Sequence, residues 1–209
     1  MQKEGIGNSH KIILVSAFEP FNGDDINPTQ QILEQLPDNI DDCSIVKVLL
    51  PVEFMKAPEM LKDEYDRLSP SAVIMLGQAG GRNAITPETT AVNLMNASIP
   101  DNAGFKPVEL PIIDNGPETL KSTLPADAIV GAINKSGLTA KLSNDAGRYV
   151  CNNVFYYMAY NVENKVPTGF IHVPFIKEQG HENLPFMEFE NLYKGIVIAI
   201  KAVINELNQ

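Results

Sequence analysis

Three continuous apolar runs in the first half of the chain alternate with segments of helical periodicity. The apolar runs are typical of strands buried on both faces of a sheet, and they span residues 11–18, 44–52 and 71–77. Asn27 and Pro28 supply an N-cap and a first-turn proline for one helix, and a second helical pattern covers residues 53–68. This alternation predicts an α/β fold, with a largely parallel open sheet and helices on both faces.

The second half of the chain mixes loops with further helices and strands. After residue 77 the pattern loosens, resumes alternation over residues 89–97, and then becomes rich in Gly, Pro and Asn, which predicts loops or short antiparallel strands. Further helices are predicted at 126–137, 150–162 and 187–207, and further strands at 138–143 and 168–175. Because no repeat or linker interrupts the pattern, we expect a tail of residues 1–10 followed by one domain over residues 11–209.

The charge balance narrows the range of partners. The 209 residues include 16 Lys and Arg against 26 Asp and Glu, a formal net charge of −10, which repels nucleic acids and anionic lipids. Residues 1–10 have too few apolar side chains for a signal peptide, and no apolar run reaches the roughly 18 residues that span a bilayer. We therefore expect a cytoplasmic protein that binds neither nucleic acid nor membrane.

The two cysteines, Cys43 and Cys151, are too few for a disulfide framework, and the sequence has no CxxC or HExxH pattern, so we expect no metal and no cofactor. Cys151 follows the turn-forming SNDAG run at the start of a predicted helix, where unpaired N–H groups and the helix dipole favour a thiolate. This position is suited to a nucleophile, although a buried, inert cysteine fits it as well. Cys43 is interpreted as structural.

A nucleophilic cysteine needs a base, and the chain has three histidines: His10, His172 and His181. His172 ends a predicted core strand, at the edge where open α/β sheets bind ligands, although a structural histidine of the core fits this position as well. Glu88 lies in the loop that leaves the same edge, and could orient the imidazole. An ordinary solvated or capping glutamate is the alternative for Glu88. The glycines around residues 77–81 match no phosphate-binding pattern and suit a close approach of the backbone to a ligand.

Four separated stretches together resemble the pyroglutamyl peptidase I (pyrrolidone-carboxylate peptidase) family: FEPFNGDDINPT, GQAGGRNAITPE, SNDAGRYVCNN and GFIHVPF. The resemblance implies a cytosolic cysteine peptidase that removes N-terminal pyroglutamyl residues from peptides and proteins, through a catalytic triad of Cys151, His172 and Glu88. It implies a single α/β domain with a twisted, mixed, mostly parallel open sheet of the phosphorylase/hydrolase-like kind, assembled as a homotetramer.

The resemblance also implies an apolar pocket for the pyroglutamyl ring. Its residues would be Phe18, Phe21, Ile99, Tyr149 and Val150, with the backbone of Gln78 meeting the lactam.

This chain departs from the family pattern at several positions. Asn22 replaces a usual glycine, although Gly23 is retained, and Tyr149 stands where a Phe or another residue is frequent. Ser98 stands where many members carry an arginine suggested to help the oxyanion. That role could pass to Arg148, pass to backbone N–H groups alone, or be lost. Two other functions stay open: a different cysteine amidohydrolase on an α/β sheet, and a non-enzymatic protein that binds a small ligand.

Overall fold

The computed structural model describes residues 11–181 and 183–209, so the predicted tail, which includes His10, lies outside the described residues. Within these described residues there are eight strands: β1 (Lys11–Phe18), β2 (Asn39–Ile40), β3 (Cys43–Leu50), β4 (Ala72–Gln78), β5 (Thr86–Pro87), β6 (Thr90–Val92), β7 (Thr119–Lys121) and β8 (Thr168–Val173). The α-helices are α1 (Pro28–Gln35), α2 (Lys56–Leu68), α3 (Ala126–Lys135), α4 (Val150–Val162) and α5 (Phe189–Leu207). None of these helices is long and apolar enough to cross a membrane.

Six strands form one twisted sheet in the order β2-β3-β1-β4-β8-β5, and β6 and β7 form a separate antiparallel pair. The four central strands, β3, β1, β4 and β8, are all parallel, whereas β2 and β5 are antiparallel additions at the two edges. This confirms the prediction of a single-domain α/β fold with a mixed, mostly parallel open sheet.

Two hydrophobic clusters fill the two faces of the sheet. On one face, α1, α3 and α5 pack against alternate strand residues such as Ile74 and Ile171. On the other face, α2 and α4 pack against residues such as Met75 and Phe170. Because side chains alternate along a strand, His172 shares the face of Phe170 and therefore lies on the α4 side.

The predicted strand over residues 138–143 is wrong, because that segment makes only isolated bridges to the β5 region. The side chain of Asn134 replaces a neighbouring strand there: its Oδ1 accepts from the N–H of Ala140 at 2.8 Å, and its Nδ2 donates to the Ala140 carbonyl at 3.0 Å. The alternating run 89–97 forms a strand only over β6, and the short strands β2, β5 and β7 were not predicted individually.

The carboxyl ends of β1 and β4 separate and leave a crevice. Their pairing stops at Ser16 and Met75, although β1 continues to Phe18 and β4 to Gln78. After β1 the chain continues to β2 and β3 on one side of this point, whereas after β4 it continues to β5 on the other side. A point where the connections diverge in this way is where open α/β sheets bind their ligands.

Candidate active site

Cys151 is the second residue of α4, and it is placed over the end of β4 by the absence of a side chain at Gly77. A Cβ added to Gly77 would lie 2.9 Å from the Cys151 sulfur and 2.6 Å from the ring of Phe170. Gly77 pairs in register with His172 on the neighbouring strand β8. The sulfur therefore sits above the strand pair that carries the histidine.

His172 and Glu88 form a buried pair at the same edge. Nδ1 of His172 lies 2.7 Å from Oε1 of Glu88, and both side chains are almost completely removed from solvent. The backbone N–H of Glu88 donates to the Phe170 carbonyl at 2.8 Å, which fixes the acid beside β8. Because the carboxylate oxygen can only accept, Nδ1 carries the hydrogen and Nε2 is left with its lone pair free to act as a base.

The electrostatics of this group differ from the expectation based on the helix start alone. Burial, followed by the charge of Glu88, raises the pKa of the Cys151 thiol to about 12, although the charge of Arg82 and a backbone hydrogen bond act in the opposite direction. The thiol is therefore protonated in the resting protein. Since the helix start does not by itself produce a thiolate, the sulfur depends on a neighbouring base for activation.

Burial also sets the charge state of the other two groups. Burial lowers the pKa of His172 below its ordinary value, even though the hydrogen bond and charge of Glu88 act to raise it. Burial alone would raise the pKa of the Glu88 carboxyl, but the hydrogen bond and charge of His172, the nearby Ser143 side chain and the charge of Arg82 hold it below its usual range. The resting pair is therefore a carboxylate and a neutral imidazole.

Two cavities meet at Cys151. The first is apolar and narrow, about 10 Å³, which is space for roughly one water molecule. It is lined by Phe18, Phe21, Gln78, Tyr149, Val150 and Cys151, among others. The second cavity, about 330 Å³, is open to solvent and shares Phe21, Gln78, Tyr149 and Cys151 with the first, while adding His172 and Arg82. The sulfur thus lies between an apolar recess and an open cleft.

Hydrogen bonds and ring contacts hold the walls of the apolar recess. The Tyr149 hydroxyl donates to the Pro100 carbonyl at 2.9 Å, and its ring packs against Phe21 with 6.0 Å between centroids. The side chain of Gln179 donates to the Gln78 amide oxygen at 2.8 Å. Asn22, in the turn after Phe21, adopts φ of +57°, a conformation that asparagine tolerates better than most residues, which accounts for its presence in place of a glycine.

Other residues considered from the sequence are not brought to the two cavities. Ile99 is half-buried beside Pro100 but does not line the apolar recess. Ser98 is exposed, and the Arg148 guanidinium is bound to the carboxylate of Asp145 at 2.7 Å. His181 lies 3.2 Å from the carboxylate of Asp24.

Cys43 is buried at the start of β3, consistent with a structural role. Over residues 11–181 and 183–209, no cluster of three or more His, Cys, Asp or Glu side chains could hold a metal ion.

Arg82 was not singled out from the sequence as a member of the site, and Gly77 was considered only as one of the glycines suited to a close approach of the backbone to a ligand. Arg82 Nη1 lies 2.6 Å from Glu88 Oε1, the same oxygen that faces His172. The GGR segment indicated only that the backbone approaches something closely, because an arginine in a loop is usually solvated.

Comparison with known proteins agrees with the resemblance carried by the four motifs. The sequence model of the family described as pyroglutamyl peptidase matches residues 11–206. The chain belongs to this family. It is 40% identical over 200 residues to pyrrolidone-carboxylate peptidase 1 of Caldanaerobacter subterraneus subsp. tengcongensis, which covers 93% of this chain and 98% of that protein. It is 41% identical over 201 residues to pyrrolidone-carboxylate peptidase of Thermococcus kodakarensis, with 94% and 98% covered.

Solved structures of pyroglutamyl peptidases share this fold. The pyroglutamyl peptidase I of Bacillus amyloliquefaciens superposes with a TM-score of 0.90 at 35% identity, over 93% of this chain and 95% of that one. A mutant pyrrolidone carboxyl peptidase from Pyrococcus furiosus gives a TM-score of 0.90 at 37% identity, over 94% and 99%. The similarity extends over nearly the whole chain in each case, so the family assignment confirms the resemblance to cysteine-type pyroglutamyl peptidases.

Proposed function

We propose that this protein is a cysteine exopeptidase that hydrolyses the bond after an N-terminal pyroglutamyl residue of peptides and proteins. Cys151 is the nucleophile, His172 the general base and acid, and Glu88 the group that orients the imidazole. The observation that carries this proposal is the buried 2.7 Å contact between His172 and Glu88, on a histidine that lines the same cavity as Cys151.

The first half of the reaction forms a thioester. Nε2 of His172 takes the proton of the Cys151 thiol as the sulfur attacks the carbonyl carbon of the pyroglutamyl residue. The resulting oxyanion lies at the start of α4, where the backbone N–H of Cys151 has no partner within the helix. One such donor typically contributes about 3 kcal/mol to stabilisation of the transition state. The imidazolium then protonates the leaving amine, the C–N bond breaks, and the shortened peptide departs.

The second half releases pyroglutamate. A water molecule gives a proton to Nε2 of His172 and attacks the thioester carbonyl. The C–S bond breaks, the imidazolium returns its proton to the sulfur, and free pyroglutamate leaves. Glu88 remains ionised throughout and stabilises the imidazolium in both halves.

The lactam ring would bind in the apolar recess, where Phe18, Phe21 and Val150 can cover its methylene groups. Since the recess is smaller than the ring, the half-exposed side chains of Phe21 and Tyr149 must move aside on binding. Charged amino termini are disfavoured there, because the recess offers no carboxylate partner among the residues that line it.

The backbone N–H and C=O of Gln78 would form hydrogen bonds with the C=O and N–H of the lactam. Val73 and Ala79 donate their N–H groups towards the β8 side, at 2.8 and 2.9 Å. Because backbone groups alternate in direction along a strand, those of Gln78 point to the β1 side, beyond the last paired residues of β1 and β4. This placement supports recognition of the lactam N–H and C=O by Gln78. Proline lacks the ring carbonyl and would leave a donor unpaired, at a cost of about 1–3 kcal/mol.

Release of fluorescence from pyroglutamyl-aminomethylcoumarin tests the proposal. We expect the unmodified protein to hydrolyse this substrate and Cys151→Ala to be inactive. We also expect the unmodified protein to hydrolyse little or no glutaminyl- or prolyl-aminomethylcoumarin. A matched Cys43→Ala variant is expected to keep its activity, because Cys43 lies in the structural core of β3. Absence of turnover by the unmodified protein, or full turnover by Cys151→Ala, contradicts the proposal.

A comparison of this turnover with the release of ammonia from glutamine and simple amides separates the two other functions. Another cysteine amidohydrolase would hydrolyse glutamine or simple amides in preference to the pyroglutamyl substrate, and a ligand-binding protein would turn over none of them. A homotetramer and a cytoplasmic location remain predictions. Light scattering on the purified protein, with a mass four times that of the chain as the expected result, checks the first of these.

A further inference from the structure

The Arg82 side chain joins the candidate triad to the segment that leads into α4. Its Nη1 contacts Oε1 of Glu88 at 2.6 Å and also donates to the hydroxyl of Thr86. Its Nη2 donates to the backbone carbonyl of Asp145 at 2.9 Å. One guanidinium therefore connects three parts of the fold: its own loop after β4, the β5 region and the loop before the nucleophile.

Among the described residues, Arg82 is the one lysine or arginine that forms an ion pair with the Glu88 carboxylate. Glu88 is fully buried, and a buried carboxylate is costly unless a charge or several hydrogen bonds compensate it. His172 supplies a hydrogen bond, but burial lowers its pKa and favours the neutral imidazole. The Ser143 side chain also lowers the pKa of the carboxyl. Within residues 11–181 and 183–209, no hydrogen bond reaches Glu88 Oε2, so the contacts of Arg82 and His172 both fall on Oε1.

Arg82 is also the permanent positive charge that lines the open cavity. Among the described residues around that cavity, no other lysine or arginine is present. Its guanidinium is about one-fifth exposed, so its field is only partly screened by solvent. Its charge lowers the pKa of Glu88, of His172 and of Cys151.

We propose that Arg82 is a positioning residue of this active site, which keeps Glu88 ionised and holds it in line with His172 while fixing the loop that leads into α4. The inference rests on the proposed function and adds a fourth member to its triad. Arg82 acts through Glu88 and the Asp145 carbonyl, and it forms no bond with the substrate. The role requires a guanidinium and not only a positive charge, because its two terminal nitrogens bind two different segments at once: Nη1 binds Glu88 and Nη2 binds the Asp145 carbonyl.

Removal of the Arg82 charge should shift the pH profile of kcat/KM in one direction. His172 must be neutral to accept a proton, so activity is lost as the pH falls through its pKa. Glu88 must be ionised to orient it. Since Arg82 lowers the pKa of both groups, its loss raises both, and the acidic limb of kcat/KM moves to higher pH.

The experiment compares Arg82→Gln and Arg82→Lys with the unmodified protein on pyroglutamyl-aminomethylcoumarin from pH 5 to pH 9. For Arg82→Gln we expect kcat/KM at pH 7 to fall on the order of 100-fold, mostly through kcat. We also expect the midpoint of the acidic limb of kcat/KM to move to higher pH by about one unit. Arg82→Lys keeps the positive charge but not the two-nitrogen fork of the guanidinium. We expect it to return the acidic limb to its original pH but to restore only part of the rate.

The control is Arg67→Gln, which removes an arginine paired with Glu64 on the surface of α2 and is expected to leave the profile unchanged. Thermal melting is measured on every variant. If Arg82→Gln lowers only the melting temperature, with a pH profile that superimposes on the original, the residue is merely structural and the proposal is wrong. If Arg82→Gln is too unstable to assay, Arg82→Lys becomes the test. A full rate in Arg82→Lys would then contradict the requirement for a guanidinium.

The outcome is separable from that of the proposed function. If the unmodified protein fails to hydrolyse the pyroglutamyl substrate, the proposed function fails. The positioning role is then read from the pH dependence of Cys151 alkylation by iodoacetamide, which Arg82→Gln is expected to shift to higher pH. An unshifted alkylation profile in that variant contradicts the role of Arg82 whatever the substrate.

Discussion

Nδ1 of His172 lies 2.7 Å from Oε1 of Glu88 although 84 positions separate the two residues in the chain. The contact exists because β8 lies between β4 and β5, so the segment around Glu88 returns antiparallel to the strand that carries His172. Because the carboxylate can only accept a hydrogen bond, this contact fixes the imidazole in one tautomer before any substrate arrives, and burial shields the pair from solvent.

Replacing the acid in this pair should affect the rate far more than the fold. Glu88→Gln keeps the shape of the side chain but removes the charge that stabilises the imidazolium, so we expect kcat/KM to fall by about 10²–10⁴. Steady-state kinetics on the pyroglutamyl substrate checks this. Glu59→Gln, on the exposed surface of α2, is the control and should be neutral. Glu88→Gln activity within a factor of two of the original would remove Glu88 from the mechanism.

A methyl group at Gly77 should displace the nucleophile. Its Cβ would lie 2.9 Å from the Cys151 sulfur and 2.6 Å from the Phe170 ring, both too close to accommodate without movement. We expect Gly77→Ala to lose more than about tenfold in kcat/KM and about 1–3 kcal/mol in the free energy of unfolding. Denaturant titration and kinetics measure both.

The matched control for this substitution is Gly131→Ala in α3, where an added Cβ meets nothing within 4 Å. It should leave activity unchanged and stabilise the fold by about 0.5–1 kcal/mol, because alanine favours a helix over glycine. If the two variants behave alike, close packing at Gly77 is not what places the sulfur.

The raised pKa of Cys151, about 12, predicts how the free protein reacts with iodoacetamide. Only the thiolate is alkylated, and below its pKa the thiolate fraction grows tenfold with each pH unit. In a Cys43→Ala background, we expect the alkylation rate to climb throughout pH 7 to 10 without reaching a plateau. A plateau below pH 8 would instead mean that the resting sulfur is already ionised, as an ion pair with His172.

Phe21 should contribute to substrate binding more than to chemistry. It lines both cavities and is half-exposed, so Phe21→Ala removes apolar cover from the ring without opening the core. We expect KM for the pyroglutamyl substrate to rise about tenfold with a smaller change in kcat, as follows from a loss of about 1–2 kcal/mol of apolar contact. Phe189→Ala, at the start of α5, serves as control. An unchanged KM would place the ring elsewhere.

The sequence was sufficient for the central sheet because β1, β3, β4 and β8 each fall on a short, largely apolar run bounded by polar or turn-forming residues. It also favoured a meeting of Cys151 and His172, since parallel strands end at one edge. Arg82 could not be assigned, because its partner, the Asp145 carbonyl, is a backbone atom 63 positions away that leaves no trace in the sequence. The strand predicted at 138–143 fails for a more local reason, since the side chain of Asn134, six positions before Ala140, takes the place of a strand neighbour.

The two hydrophobic clusters divide the protein into a layer that carries the candidate active site and a supporting layer on the opposite face of the sheet. The sulfur and the imidazole lie on the α2 and α4 side of the sheet, whereas α3 and α5 pack against the opposite face. Substitutions that strengthen the α3–α5 packing could therefore be accumulated to make the enzyme more heat-resistant without altering its turnover. Evolution has the same freedom, so we expect close relatives to tolerate more sequence drift in that supporting layer than around the catalytic rim.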